Sequence, residues 1–332
     1  MKAMVIRQFG PADSFVFDER PVPELRAGHV LIRVRASSVN PIDVKVRSGV
    51  VPAIAPAFPA ILHGDVAGIV EAVGPGVEGF SPGDEVYACG GGFKNYAGAL
   101  AELMLVDADF VAPKPTTLDF AESAALPLVA ITAWEALIDR ANVRPGCKVL
   151  IHAGAGGVGH VAIQIAKSCG AMVYTTVSSE DKGRLAELLG ADVAIDYKRQ
   201  TVEEYVREHT SGAGFDVVFD TVGGANLAAS FQAAVAGGTV VCIAARGTHE
   251  LTTAHSKGLS LHIVFMLLPL LTGQGRAHHG QILRRLAGLV EGGRIRPVLD
   301  PDIFPFTRAA DAHRKLESGT AVGKIVLTND LG

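Results

Sequence analysis

Three glycines, Gly154, Gly156 and Gly159, fall at the spacing G-x-G-x-x-G, with which a chain can bring its backbone against a pyrophosphate. In a chain with 38 glycines the spacing alone carries little weight, so its setting decides. The stretch Gly154-Ala155-Gly156-Gly157-Val158-Gly159 follows the apolar run 149–152. It opens a segment, 158–169, in which Val161 and Ile165 share a helical face and Gly170 stands at the end. The N–H groups of a helix start, together with its positive dipole end, suit a pyrophosphate. An ordinary strand-to-helix turn is the competing reading, but strand, loop, helix and second strand all occur in the order a dinucleotide unit requires.

The end of the second strand sets the kind of dinucleotide. NAD-binding units usually place an acid there to accept from the ribose hydroxyls. Here the strand ends Thr176-Val177-Ser178-Ser179, and Lys182 and Arg184 follow within a turn. Ser178, Ser179 and Lys182 offer hydroxyls and a cation, which suit an added 2′-phosphate and favour NADPH over NADH. Glu180 and Asp181 could instead neutralise that patch, leaving Lys182 a solvated helix-start residue. Thr221, Val222, Ala244 and Ala245 end later strands of the same kind, where ligands of parallel sheets collect.

The elements that must hold these residues follow from pattern. The 332 residues are 48% hydrophobic and 19% charged, with net charge −4, which provides for about two packed domains. No basic stripe marks a nucleic-acid or membrane-surface partner. The four cysteines are scattered, without a C-x-x-C pair, which fits a reducing cytoplasm better than a disulfide framework. No signal-peptide pattern opens the chain. Up to about residue 120, short β-branched runs alternate with Pro and Gly, as in a barrel-like β domain. Beyond it, strands at 148–152, 172–177, 215–220 and 238–244 alternate with helical stretches, as in a doubly wound parallel sheet. From about residue 297 the chain turns Pro-punctuated and ends in a strand that returns to the first domain. The expected α/β layout is therefore 1–121 with 297–332 as a β domain, and 122–296 as the dinucleotide domain. The apolar run 259–271 is too short to cross a bilayer and reads as a buried strand, or as a helix on a lid or dimer surface.

Three motifs carry a resemblance over essentially the whole chain: Ser38-Val39-Asn40-Pro41-Ile42-Asp43-Val44-Lys45, Gly64-Asp65-Val66-Ala67-Gly68 and 153–159. With the closing segment 309–319 and Gly323-Lys324-Ile325-Val326, the sequence resembles the medium-chain dehydrogenase/reductase superfamily, in its quinone oxidoreductase (zeta-crystallin-like) branch. The resemblance implies a GroES-like β-barrel domain, a Rossmann domain, an NADPH cofactor and a homodimer. It also implies that Asn40 and Thr132 approach the nicotinamide half. Tyr197 would lie near the adenosine phosphate, and Gly323 and Lys324 among the cofactor contacts. Zinc members of the superfamily bind metal through a Cys on the early loop and a later His-Glu pair. Asn40 and Gly64-Asp65 stand at those places here, His63 lies one position early and reads as a turn or packing residue, and 126–129 is apolar. No catalytic or structural zinc is expected.

Without zinc, an alcohol lacks the Lewis acid that stabilises its alkoxide. A quinone or an α,β-unsaturated carbonyl can take hydride directly if the protein orients it and stabilises the enolate. Asn40, Asp43 and Lys45 are the catalytic candidates. Asn40 would orient substrate, or cap a turn before Pro41. Lys45 would donate to a carbonyl or supply a proton, or form a surface ion pair with Asp43. Tyrosines that relatives bear hereabouts are replaced by Lys45, Val50 and Val51. Competing functions are 2-enoyl thioester reduction and a non-catalytic NADPH-binding role; a zinc alcohol dehydrogenase fits least. The pair His278-His279 lacks a neighbouring acid or Cys and reads as a loop feature.

Overall fold

The computed structural model describes all residues, Met1–Gly332. They form two compact units, Met1–Leu128 with Leu267–Gly332, and Val129–Met266.

The second unit is built on six parallel strands in the order Val193–Asp196, Met172–Val177, Lys148–Ile151, Phe215–Asp220, Ala234–Cys242, Ser260–Ile263. The inner strands are near-continuous apolar runs because helices cover both faces of such a sheet. Leu150, Tyr174, Phe215, Val218, Phe231 and Val240 fill part of its core. The chain starts at the third position, steps outward to the first, then returns to the fourth. Consecutive loops therefore leave the strands Lys148–Ile151 and Phe215–Asp220 in opposite directions, which opens the crevice where open parallel sheets bind ligands. The expected glycine loop leaves one of these strands and Thr221 the other.

The first unit is a β structure around the ten-residue strand His29–Ser38. This strand pairs antiparallel with Asp65–Val73, Leu103–Asp107 and the C-terminal Val326–Thr328. The return of the C-terminus to the first domain is thus present, but the boundaries differ from those read in the sequence. Residues 122–128 and 267–296 belong to the β unit. The helix Arg276–Glu291 is responsible for most of the shift. Tyr87 Oη donates to Leu283 O at 2.6 Å, Arg276 pairs with Asp107 at 2.5 Å, and Thr116 donates to Glu291. At Gly280 an added Cβ would lie 2.4 Å from Asp109 O, so only glycine permits this close approach. His278 and His279 are therefore helical rather than in a loop, and His279 is buried against Phe110.

Two further local readings change. The run 259–271 splits into the strand Ser260–Ile263 and the short helix Leu268–Thr272. That strand lies at the sheet edge with Leu261 and Ile263 exposed, rather than being buried. The segment after Asn40 is not a loop but the helix Pro41–Arg47, with Pro at its start, where a missing N–H costs nothing.

Candidate functional site

In the second unit, the glycine loop is shaped by contacts that exclude side chains at two of its three motif positions. A Cβ on Gly154 would lie 2.1 Å from Thr175 Oγ1, and one on Gly159 would lie 2.2 Å from Ala153 O. At Gly156 the nearest atom would be 3.1 Å away, within the loop itself. Packing therefore accounts for Gly154 and Gly159. The bare backbone at Gly156 leaves open a cradle that a Cβ would fill. Gly156 is the N-cap of the helix Gly157–Ser168 and supplies no side-chain cap. The first-turn N–H groups of Gly157, Val158 and Gly159, which have no intrahelical acceptor, can thus serve an anion. Ala155 is the buried side chain of the loop, and the N–H groups of Ala153 and Gly154 anchor the loop to Thr176 at 3.1 and 3.2 Å. These residues fit a dinucleotide pyrophosphate.

Ser178 and Tyr197 leave neighbouring strands, since Asp196 pairs with Val177. Ser179 is the N-cap of the helix Glu180–Leu188, and its Oγ accepts from the Lys182 amide at 3.4 Å. Arg184 holds both Glu180, at 2.6 Å, and Asp181. The two acids that could have neutralised Lys182 are therefore engaged elsewhere, and the Lys182 ammonium forms no ion pair. Thr221 Oγ1 donates to His152 O at 2.6 Å, while Asp220 Oδ1 accepts from the Val222 and Gly223 amides at 2.9 and 2.8 Å. Ala244 abuts Gly223, where a Cβ would lie 2.2 Å from its carbonyl oxygen; Ala245 follows it, half-buried. Thr132 is buried in the helix Pro127–Trp134.

A cavity of about 540 Å³ opens among Ala153, Thr176, Tyr197 and Val222, and it also reaches His152 and Asn226. Burial, opposed by Asp220, pushes the His152 imidazole down to about 4, so the ring is neutral. Neither His152 nor Asn226 was singled out from sequence. The only cue was a polar residue at the end of an apolar strand and another in the turn after one.

In the first unit the motif residues converge on a buried polar cluster. Asn40 caps the helix Pro41–Arg47, and its amide N–H donates to Asp43 Oδ2 at 2.8 Å. Its side chain is used differently: Nδ2 donates to Asp65 Oδ2 at 2.8 Å, and Oδ1 accepts from Lys324 Nζ. Asp65 also accepts from Ser38 Oγ at 2.7 Å and from the Leu128 amide at 2.8 Å. Lys324 Nζ donates to Val39 O at 3.0 Å and stands 3.6 Å from Asp65 Oδ2. Asn40, Asp43, Asp65 and Lys324 are all buried. Lys324, expected among the cofactor contacts, thus turns its ammonium into this cluster. Gly323 adopts φ 66°, and a Cβ there would lie 2.2 Å from Val298 O.

Asp43 and Lys45 are not a surface ion pair: Asp43 is buried, Lys45 is exposed, and they point away from a shared partner because two residues on a helix lie about 200° apart. Burial, reinforced by Asp65 and opposed by the Asn40 amide and Lys324, pushes the Asp43 carboxyl up from 3.8 to about 7. Its Oδ1 has no partner. His63, as the sequence suggested, packs: it adopts φ 74°, and its Nε2 lies 2.9 Å from Nε2 of His313 in a buried stack. Ser37 Oγ donates to Asp65 O and so accepts from His63 Nδ1 at 3.3 Å. His313 was not anticipated from the sequence.

The positions that hold zinc in metal-binding relatives do not fit the ion. One is an amide with an ammonium on its oxygen, and the other is a carboxylate already accepting three hydrogen bonds.

A doubly wound sheet with an anion-binding glycine turn, joined to a β unit completed by the C-terminus, defines a two-domain dinucleotide oxidoreductase. Residues 26–116 match the alcohol dehydrogenase GroES-like domain, and 189–327 match the zinc-binding dehydrogenase family model. The chain is 36% identical to an NADPH-dependent alkenal/one oxidoreductase from Arabidopsis thaliana, over 98% of this chain and 79% of that protein. It is 32% identical to a quinone oxidoreductase from Rattus norvegicus, over 98% and 97% respectively. A solved alcohol dehydrogenase superfamily protein from Novosphingobium aromaticivorans superimposes with a TM-score of 0.94 at 42% identity, covering 99% of each chain. The chain belongs to the medium-chain dehydrogenase/reductase superfamily, in its quinone oxidoreductase branch.

Proposed function

We propose that this protein is a zinc-independent, NADPH-dependent reductase that transfers hydride to a quinone or an α,β-unsaturated carbonyl. The observation that carries this reading is the cluster of Asn40, Asp65 and Lys324 at the metal-ligand positions. It offers hydrogen bonds but no open coordination site. An acceptor must then be electrophilic in its own right, and the protein's part is orientation and stabilisation of the developing oxyanion.

Gly154 to Gly159 would hold the pyrophosphate, and Ser178, Ser179 and Lys182 the 2′-phosphate. Tyr197, Thr221, Val222, Ala244 and Ala245 would border the adenosine half, and Thr132 the nicotinamide half. When bound, NADPH supplies the hydride. Asn40 would donate to the acceptor oxygen. The exposed Lys45 ammonium forms no ion pair and would donate to a carbonyl or deliver a proton from solvent. Asp43, pushed up to about 7, would take up or release a proton near neutral pH within the buried cluster.

The exposed apolar edge of the strand Ser260–Ile263, with Leu261, Ile263 and Phe265, supports a homodimer formed through this sheet. Four free thiols support a cytoplasmic setting, and no helix is long and apolar enough to cross a membrane.

The test is NADPH oxidation with a quinone, a short enone and a crotonyl thioester side by side. Turnover of the quinone or enone is expected. Preference for the thioester would move the assignment to enoyl thioester reduction. NADPH binding without any turnover would leave a non-catalytic NADPH-binding protein.

A further inference from the structure

Lys324 is a buried amine whose ammonium faces three oxygens of its own unit, although nothing in the dinucleotide chemistry calls for a cation there. Its three donors face Val39 O, Asn40 Oδ1 and, at 3.6 Å, Asp65 Oδ2. The charges that face it are Asp65 and Asp43, with the Cys89 thiol and the neutral His63 ring beyond. Asp65 is the one carboxylate of this group with every oxygen satisfied, so Lys324 and Asp65 form a balanced buried pair.

This arrangement determines which way the Asn40 amide points. An ammonium can only donate and an ionised carboxylate can only accept. With Lys324 on one side and Asp65 on the other, Oδ1 must face Lys324 and Nδ2 must face Asp65. A flipped amide would set two donors against each other and two acceptors against each other. Asn40 thus has one remaining N–H, the second on Nδ2. The cation on Oδ1 withdraws electron density through the amide and strengthens that N–H as a donor, as linked hydrogen bonds polarise one another.

We infer that Lys324 is a positioning residue: its ammonium is the fixed internal cation standing where metal-binding relatives hold zinc, and through Asn40 it provides the polarised donor that the acceptor oxygen meets. This rests on the reductase reading and deepens it. Its donors are all directed at protein oxygens, leaving none for substrate or cofactor, so its effect should appear in kcat and not in cofactor binding.

The test compares Lys324→Met, nearly isosteric but uncharged, with the double variant Lys324→Met/Asp65→Asn, which keeps the site neutral and so removes the cost of an unpaired buried carboxylate. Loss of one oxyanion-type donor typically costs roughly 100- to 1000-fold in kcat, and a fall of that order is expected for both variants, with the NADPH Kd unchanged within about threefold. Ethylammonium added to Lys324→Ala should restore part of the lost kcat, which a merely structural role would not allow. Retention of kcat within about threefold by a folded variant, or failure of the amine to restore any activity, would overturn the inference.

A second arm does not depend on activity. Zinc titrated into the wild-type protein should find no site that Asp65→Asn abolishes, and one such site per chain would overturn the inference. If the wild type reduces no acceptor, the reductase reading fails by itself, and the zinc arm still decides whether Lys324 holds the metal position.

Discussion

Replacing Lys182 with Ala should convert a cofactor preference into near-indifference. Arg184 takes up Glu180 and Asp181, so the Lys182 ammonium competes with no carboxylate, and Ser179 fixes the backbone of the same turn by accepting from the Lys182 amide. A hydrogen bond to a charged group contributes about 1.5–3 kcal/mol, and a half-exposed lysine belongs at the lower end because solvent screens it. About 1.4 kcal/mol is tenfold in Kd, so Lys182→Ala should weaken NADPH by roughly tenfold. NADH, which lacks the 2′-phosphate, should change by less than about twofold. The assay is titration of nicotinamide fluorescence with both cofactors at low and at high salt. The NADPH difference should shrink at high salt, because a partly exposed ion pair is screened. Equal weakening of the two cofactors, or no salt dependence, would refute the assignment of this turn to a phosphate.

The glycines of the loop should separate into two kinds. Gly159→Ala forces a Cβ to within 2.2 Å of Ala153 O and should lower the thermal midpoint as well as NADPH affinity; Gly156→Ala, with its nearest contact at 3.1 Å, should melt near the wild type yet bind NADPH at least about tenfold more weakly. Melting curves and titrations on the same preparations check this. Burial holds both His63 and His313 neutral, with folded values below the usual 6.5. The unfolded chain therefore binds more protons, and their contribution is intact above 6.5 and lost as the pH falls below it. Denaturant midpoints between pH 5 and 7.5 should show this loss, and the His63→Phe/His313→Leu variant should flatten it. Asp43 runs the other way: its raised value favours the folded state below 3.8 and that advantage is lost as the pH rises through 7, so Asp43→Asn should stabilise the protein at alkaline pH. For assembly, Ile263→Lys places a charge on the exposed sheet edge and should give monomers in sedimentation, whereas an unchanged dimer would move the interface elsewhere.

Much of this molecule could be read from residue order because its chemistry is built on local patterns. The parallel strands announced themselves as apolar runs followed by helical stretches, and two of the four strands match to the residue at both ends, at 172–177 and 215–220. The glycine loop was legible since its constraints lie within a few residues or on the next strand. What failed was association between distant segments. The helix Arg276–Glu291 follows the sheet in sequence but packs on the β unit, because Tyr87, Asp107 and Asp109 meet it there. The 41–47 segment reads as a loop in sequence because a starting proline signals a turn as readily as a helix N-terminus.

Residue order alone establishes the dinucleotide loop, the absence of an acid after the second strand, and the presence of Asn40 and Asp65 where metal ligands stand in relatives. Each of these is a matter of residue type at a spacing. What those residues do to one another depends on the folded chain. Lys324 lies 284 residues beyond Asn40, yet its ammonium and the Asp65 carboxylate together orient that amide. Hydrogen bonds and buried charges depend on distance in space, and in this chain the strand Val326–Thr328, returning beside His29–Ser38, brings the cation to its place.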